Sequence, residues 1–146
     1  KYVTFNGFKT LELPSMPKDD FVFVIFIQEN VGVFPEVNGA TYQLGTAVNQ
    51  AQVWSDERYK FSRLPSYLEG SIFLQMEYSA LRQGTVIEIS LFNPSIIYLA
   101  YETKSGGQFE TNLHDLGWVL VTEYGDIRTG CCTLKYIWKK YVTRKL

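Results

Sequence analysis

The sequence has little of what an enzyme site usually needs. Its 146 residues include one histidine, His114, and two cysteines. It contains no Gly-x-Ser-x-Gly elbow, no glycine-rich phosphate loop, and none of the Cys-x2-Cys or His-x-His spacings that bind zinc. We therefore expect a non-catalytic protein that needs no cofactor. The one exception left open is a structural calcium bound by turn carboxylates, such as those of Asp56 and Glu57.

Weak charge asymmetry and short apolar runs argue against two further kinds of partner. The formal net charge is −1, from 14 basic and 15 acidic residues, so the chain has no general attraction for nucleic-acid phosphates. The longest apolar run, Phe21–Ile27, is far shorter than the roughly 20 residues of a membrane-spanning helix. We expect neither nucleic-acid binding nor membrane insertion.

The two cysteines, Cys131 and Cys132, are adjacent. We expect them to begin the last strand, where neighbouring side chains point to opposite faces. A disulfide between them would then be strained, so the sequence predicts two reduced thiols, with Cys131 reactive and Cys132 protected. The redox compartment stays open at this point.

Aromatic residues are abundant: 10 Tyr, 10 Phe and 3 Trp. Such side chains suit the half-buried surface of a pleated sheet. Ser71–Tyr78, Thr85–Leu91 and Ile96–Glu102 predict three consecutive strands, the first two by apolar and polar alternation and the third by a nearly all-apolar run. Phe21–Ile27 lacks alternation, which predicts a strand covered on both faces. A hairpin is predicted with strands at 2–5 and 8–13 and its turn at Asn6-Gly7. Further strands are predicted at 57–63, 118–123 and 131–142, with a polar turn at 79–84 and a helical turn at 112–116.

These elements predict an all-β fold. About nine short strands with frequent turn signals indicate an antiparallel two-sheet β-sandwich, jelly-roll-like, with little or no helix. The length suits a single domain over 1–146. Because the chain begins at Lys1 without an initiator methionine, we expect it to be excised from a longer protein.

Part of the chain resembles a known superfamily. The runs that carry the resemblance are Leu64-Pro65-x-x-Leu68-x-Gly70, Ile87-x-Ile89-x-Leu91-x-Asn93-Pro94-x-x-Ile97-Tyr98-Leu99-Ala100-Tyr101 and Leu116-Gly117-Trp118. They are similar to the later strands of jelly-roll modules of the galactose-binding-like superfamily, which includes carbohydrate-binding modules and adhesion or receptor domains. The resemblance implies a binding module of a larger extracellular or cell-surface protein. The loop 102–109 is longer than the short basic turn usual there, and no sugar-ligand set carries over.

The candidate binding residues are aromatic and polar side chains near predicted strand ends. Aromatic rings can stack on a sugar or anchor a protein partner, and polar neighbours can orient it. The candidates are Trp54, Asp56, Tyr78, Arg82, Tyr101, Glu102, Lys104, Gln108 and Phe109. We expect a recognition module for a glycan or a protein partner. The alternative is a structural or oligomerisation domain that packs against its neighbours or against further copies of itself.

Overall fold

The computed structural model describes residues 9–17, 21–29, 35–83, 86–102, 107–121 and 126–142. For Lys9, Glu12, Glu29, Arg82 and Gln83 it describes the backbone only. The strands are β1 Lys9–Glu12, β2 Phe23–Glu29, β3 Glu36–Asn38, β4 Tyr42–Thr46, β5 Ile72–Met76, β6 Glu88–Leu91, β7 Ser95–Tyr101, β8 Val119–Leu120, β9 Ile127–Arg128, β10 Thr133–Leu134 and β11 Tyr136–Val142. A 3₁₀ helix spans Tyr78–Gln83, and helix α1 spans Gln108–Asp115.

A six-stranded antiparallel sheet forms the body, in the order β4-β5-β2-β7-β11-β8. The β2 strand lies inside it, with Phe26 opposite Phe73 of β5 and Tyr98 of β7. Side chains on both faces of β2 are buried, from Phe23 to Ile27. The prediction of an interior strand covered on both faces is therefore confirmed.

A second sheet has the order β1-β6-β3. Leu11 and Val37 both lie opposite Ile89, and all three belong to the one buried cluster that also contains the core of the larger sheet. The predicted consecutive strands β5, β6 and β7 thus alternate between sheets. This confirms the antiparallel, sandwich-like all-β fold, in which two sheets share one core.

The long segment between β4 and β5 packs against the six-stranded sheet. Phe61 lies edge-on to Phe73, with ring centroids 5.1 Å apart, and 5.9 Å from Phe26. The predicted strand 57–63 is wrong, because this segment forms only isolated bridges, Gln52 to Lys60 and Arg63 to Arg128. Its alternating aromatics reflect packing of Phe61 into the core rather than a continuous ladder.

Helix α1 is longer than the predicted turn at 112–116. A carboxylate oxygen of Glu110 accepts the backbone N–H of Gly107 at 3.1 Å, which holds the first turn. Phe109 and Leu113 lie one turn apart and are buried.

Two further elements differ from the sequence predictions. The polar turn predicted at 79–84 is a 3₁₀ helix over its described part, and β3 was not predicted. The first strand and the turn of the predicted hairpin, 2–7, lie outside the described residues, and its second strand contains β1.

The adjacent cysteines form a disulfide, so the prediction of two reduced thiols is wrong. The predicted strand 131–142 does not begin at Cys131. Instead, Cys131 and Cys132 occupy the turn between β9 and β10, and Lys135 separates β10 from β11. Because neither cysteine is in a strand, the rule that neighbours face opposite ways does not apply to them.

Candidate functional site

Two connections leave the six-stranded sheet at the same edge. Both β5 and β7 run antiparallel to β2, so their last residues lie where β2 begins. The 3₁₀ helix follows β5, and helix α1 follows β7. Eight of the nine sequence-predicted site residues are described, and they fall into two groups at this edge: Trp54, Asp56, Tyr78 and Arg82 on or beside the 3₁₀ helix, and Tyr101, Glu102, Gln108 and Phe109 at the end of β7 and on α1.

In the first group, Asp56 holds the start of the 3₁₀ helix. Its carboxylate accepts the backbone N–H groups of Tyr78 at 2.6 Å and Ser79 at 3.2 Å, and the Ser79 hydroxyl at 2.8 Å. Desolvation alone would raise the pKa of Asp56, but these hydrogen bonds together lower it below its usual 3.8. All three donors favour the ionised carboxylate, so Asp56 serves as a helix cap.

Trp54 has 0% of its surface exposed. Its ring packs edge-on against the half-buried Tyr78, with centroids 5.0 Å apart. The indole therefore offers no face to a ligand in solvent. Arg82 lies on the 3₁₀ helix, and only its backbone is described.

In the second group, Tyr101 joins helix α1 to strand β11. The buried hydroxyl donates to a carboxylate oxygen of Glu110 at 2.6 Å and accepts the indole N–H of Trp138 at 3.1 Å. The ring stacks on Tyr136 and meets Phe109 edge-on, with centroids 5.5 and 5.6 Å away. Burial, reinforced by the bond to Glu110, raises the pKa of Tyr101 far above the usual range of a phenol. The hydroxyl stays protonated and structural.

The remaining members of this group differ in exposure. Phe109 is buried against Phe21 and Tyr101, whereas Gln108 is exposed and donates to the side chain of Asn112. Glu102 is half-buried, and its N–H bonds the carbonyl of Val22. Lys104 lies outside the described residues. The structure thus brings Asp56 to Tyr78 and Tyr101 to Phe109, but it buries the rings of Trp54, Tyr101 and Phe109.

A second surface contains none of the site residues that were predicted from the sequence. Four of the seven exposed large hydrophobic side chains among the described residues lie on β8, just before it, or on its partner β11: Leu116, Val119, Leu120 and Tyr141. We call these four residues the β8 edge. The exposed fraction is 53% for Val119 and 57% for Tyr141. The exposure of this surface was not predicted, because the apolar run Val119-Leu120-Val121 is typical of a buried strand.

The pairing of β8 with β11 gives the β8 edge its geometry. Val119 lies opposite Lys139, and Leu120 opposite Trp138. Opposite residues share a face, so Val119, Lys139 and Tyr141 follow one face. The Lys139 ammonium lies 5.5 Å from the centre of the Tyr141 ring, and that of Lys140 donates to the Leu116 carbonyl at the end of α1. Leu120 lies on the other face, so exposed apolar side chains are present on both faces of β8, beside two ammonium groups.

Other chemistry finds little support in the described part of the chain. No group of three or more His, Cys, Asp or Glu side chains there could hold a metal ion. His114 is exposed on the last turn of α1, 3.6 Å from the carboxylate of its neighbour Asp115. Both cysteine sulfurs are in the disulfide, so neither is a thiolate that could pair with this imidazole. The described helices are all too short to cross a membrane.

Comparisons with protein-family models, curated proteins and solved structures find no match to this chain.

Proposed function

We propose that this protein is a non-catalytic recognition module that binds a protein partner by strand addition at the β8 edge. The observation that supports it is the position of β8 at the end of the six-stranded sheet, with both of its side chains exposed and apolar. Among the described strands, β8 pairs with β11 alone. Its outer side therefore presents backbone groups to which an extended segment can add.

The chemistry of the β8 edge indicates what the partner segment carries. Exposed apolar side chains grouped in this way mark interaction surfaces on soluble proteins. The ammonium groups of Lys139 and Lys140 lie beside Tyr141 and Leu116 of the β8 edge. The complementary segment is extended, has apolar side chains that meet Val119 and Leu120, and carries a carboxylate toward the lysines.

Three of the four predicted aromatic residues are buried, which favours a protein partner over a glycan. A sugar platform needs an exposed ring, and Trp54, Tyr101 and Phe109 have none to offer. The proposal keeps the binding role that the galactose-binding-like resemblance implies and places that role on another surface. We also propose a location outside the cell or at its surface, because disulfides such as Cys131–Cys132 form in oxidising compartments.

A displayed library of random peptides is the probe that tests this proposal. Peptides selected on the wild-type domain are measured again on Val119→Asp, which puts a carboxylate on the β8 edge. We expect binding to weaken by about tenfold or more, or about 1.4 kcal/mol. The matched control is Val48→Asp, because Val48 is an exposed valine outside the β8 edge. A proline in the centre of a selected peptide removes a ladder N–H and should also weaken binding.

Three outcomes contradict the proposal. The first is a set of selected peptides that bind Val119→Asp as tightly as wild type. The second is a glycan, found on an array, whose binding Val119→Asp leaves unchanged. The third is a dimer, seen by sedimentation equilibrium, that Val119→Asp dissociates; it would assign the β8 edge to a second copy of the chain and favour the oligomerisation alternative.

A further inference from the structure

We propose that the Cys131–Cys132 disulfide is a thiol–disulfide exchange site, at which an external dithiol reduces the bond by attack on Cys131. The disulfide lies in the turn that joins β9 to β10, and these strands pair through Ile127 with Leu134 and Arg128 with Thr133. The proposal is independent of partner binding at the β8 edge.

The two sulfur-bearing residues differ in access. Cys131 is exposed, whereas Cys132 is half-buried and packs against the hydrophobic core. Exchange begins when a thiolate reaches one sulfur of the disulfide, so access decides which sulfur is attacked. The exposed Cys131 is the entry point, and Cys132 is the leaving group.

Thr129 forms hydrogen bonds across the turn in addition to the disulfide. Its buried hydroxyl accepts the N–H groups of Cys131 at 3.3 Å and Cys132 at 3.1 Å. The Thr129 N–H donates to the Cys132 carbonyl at 2.9 Å. Because these bonds involve only backbone groups and a hydroxyl, the turn keeps its shape when the sulfur bond breaks. The two thiols then remain neighbours, ready to form the bond again.

The exchange balances as a two-electron reduction. A thiolate of the dithiol attacks the Cys131 sulfur and forms a mixed disulfide, while the bond between the cysteines breaks and Cys132 leaves as a thiolate that takes up a proton. The second thiol of the reductant, once deprotonated, attacks the reductant's sulfur in the mixed disulfide and releases Cys131 as a thiolate, which takes up the second proton. The products are two cysteine thiols and the cyclic disulfide of the reductant.

Tyr59 connects this turn to the first group of candidate residues. A methyl group added to Gly130 would lie 2.9 Å from the Tyr59 ring, so the ring already lies against the glycine. The centroid of Tyr59 is 6.5 Å from that of Tyr78. The ring signals of Tyr59 therefore report on the state of the turn in the folded protein.

The test uses the native protein purified without reductant. Dithiothreitol is added under folding conditions, thiols are blocked with an alkylating reagent, and the blocked residues are found by mass spectrometry. We expect alkylation of both cysteines together with a shift of the Tyr59 ring signals in the NMR spectrum. In single-cysteine variants, Cys132→Ser leaves Cys131 in place and should react with a charged disulfide reagent about tenfold faster than Cys131→Ser.

A disulfide that resists dithiothreitol until denaturant is added would overturn the proposal, and so would equal reaction rates in the two single-cysteine variants. Thr129→Val provides a separate check on the turn. This variant keeps the shape of the side chain and removes the hydroxyl, so re-formation of the disulfide after removal of reductant should slow by about tenfold. Unchanged re-formation in a folded Thr129→Val protein would contradict the role given to Thr129.

Discussion

At the Tyr101 hydroxyl, two elements far apart along the chain are joined by hydrogen bonds. The hydroxyl connects Glu110 of α1 with Trp138 of β11, and the ring supports Phe109. Asp56 is exposed, and its carboxylate likewise accepts a backbone N–H at the start of the 3₁₀ helix. At the scale of single residues, polar groups at this edge of the sheet position the two helices.

Tyr101→Phe should destabilise the protein by about 1–3 kcal/mol, because it leaves the Trp138 N–H and a Glu110 oxygen without this partner. Urea unfolding followed by tryptophan fluorescence measures the change. Tyr141→Phe is the matched control, since Tyr141 is exposed, and we expect a change below about 0.5 kcal/mol. Equal effects of the two substitutions would contradict the role of the Tyr101 hydroxyl.

Asp56→Ala removes a helix cap and should cost about 1 kcal/mol at pH 7. Because folding lowers the pKa of Asp56 below 3.8, its contribution is fully present above pH 3.8. The contribution is lost as pH falls through the lower, folded-state pKa. The stability gap between wild type and variant should therefore narrow in acid, which urea unfolding at pH 7 and pH 3 would show.

The control for the cap is Asp115→Ala. Asp115 carries an exposed carboxylate at the C-terminal end of α1, where a negative charge is unfavourable. We expect a change below about 0.5 kcal/mol. A gap for Asp56→Ala that stays constant from pH 7 to pH 3 would show that the ionised form has no special role.

At the scale of elements, the strands predicted from the sequence are right where the segment pairs along a neighbouring strand. The segments that became β2, β5, β6 and β7 satisfy this condition. It fails at 57–63, where the pattern is set by Phe61 entering the core from a loop. It fails again at Cys131, where a disulfide turn replaces the start of a strand.

The candidate site was predicted in part for a similar reason. The sequence predicted candidate residues on the connections that follow β5 and β7, but not that both connections leave the sheet at one edge. It could not show that Trp54 and Phe109 are buried, because their burial depends on segments that pack on them from elsewhere in the chain. Nor could it show the β8 edge, because exposure there depends on the order of strands in the sheet.

Gly39→Ala tests the turn between β3 and β4. Gly39 has φ 97°, and an added methyl would lie 1.9 Å from the carbonyl oxygen of Val86. We expect a loss of at least about 3 kcal/mol, because the obstacle is backbone. Gly70→Ala is the control, with φ 83° and nothing within 4 Å, and should lose about 1 kcal/mol. Thermal unfolding compares them, and similar losses would contradict the close approach.

At the scale of the whole molecule, one hydrophobic cluster joins the two main sheets and the segment between β4 and β5. No part of the described core is separate from the rest. We therefore expect the chain to unfold as a single cooperative unit.

Trp54→Ala tests this cooperativity. Removing a fully buried indole should lower the free energy of unfolding by about 3–5 kcal/mol. Far-UV circular dichroism reports on the sheets, and near-UV circular dichroism reports on aromatic packing. Both transitions should shift together. If the near-UV signal is lost first while the sheets persist, the segment that carries Trp54 unfolds independently.

The interior position of β2 also affects how the chain folds during synthesis. Its partners β5 and β7 lie far along the sequence, and β7 ends at Tyr101, 101 − 27 = 74 residues after Ile27. At roughly 5–20 residues per second, a ribosome needs about 4–15 seconds to add them. The apolar strand β2 has neither neighbour until β5 is complete at Met76, and it lacks β7 until Tyr101 is added. We expect Phe21–Ile27 to be the segment that a holding chaperone contacts during synthesis.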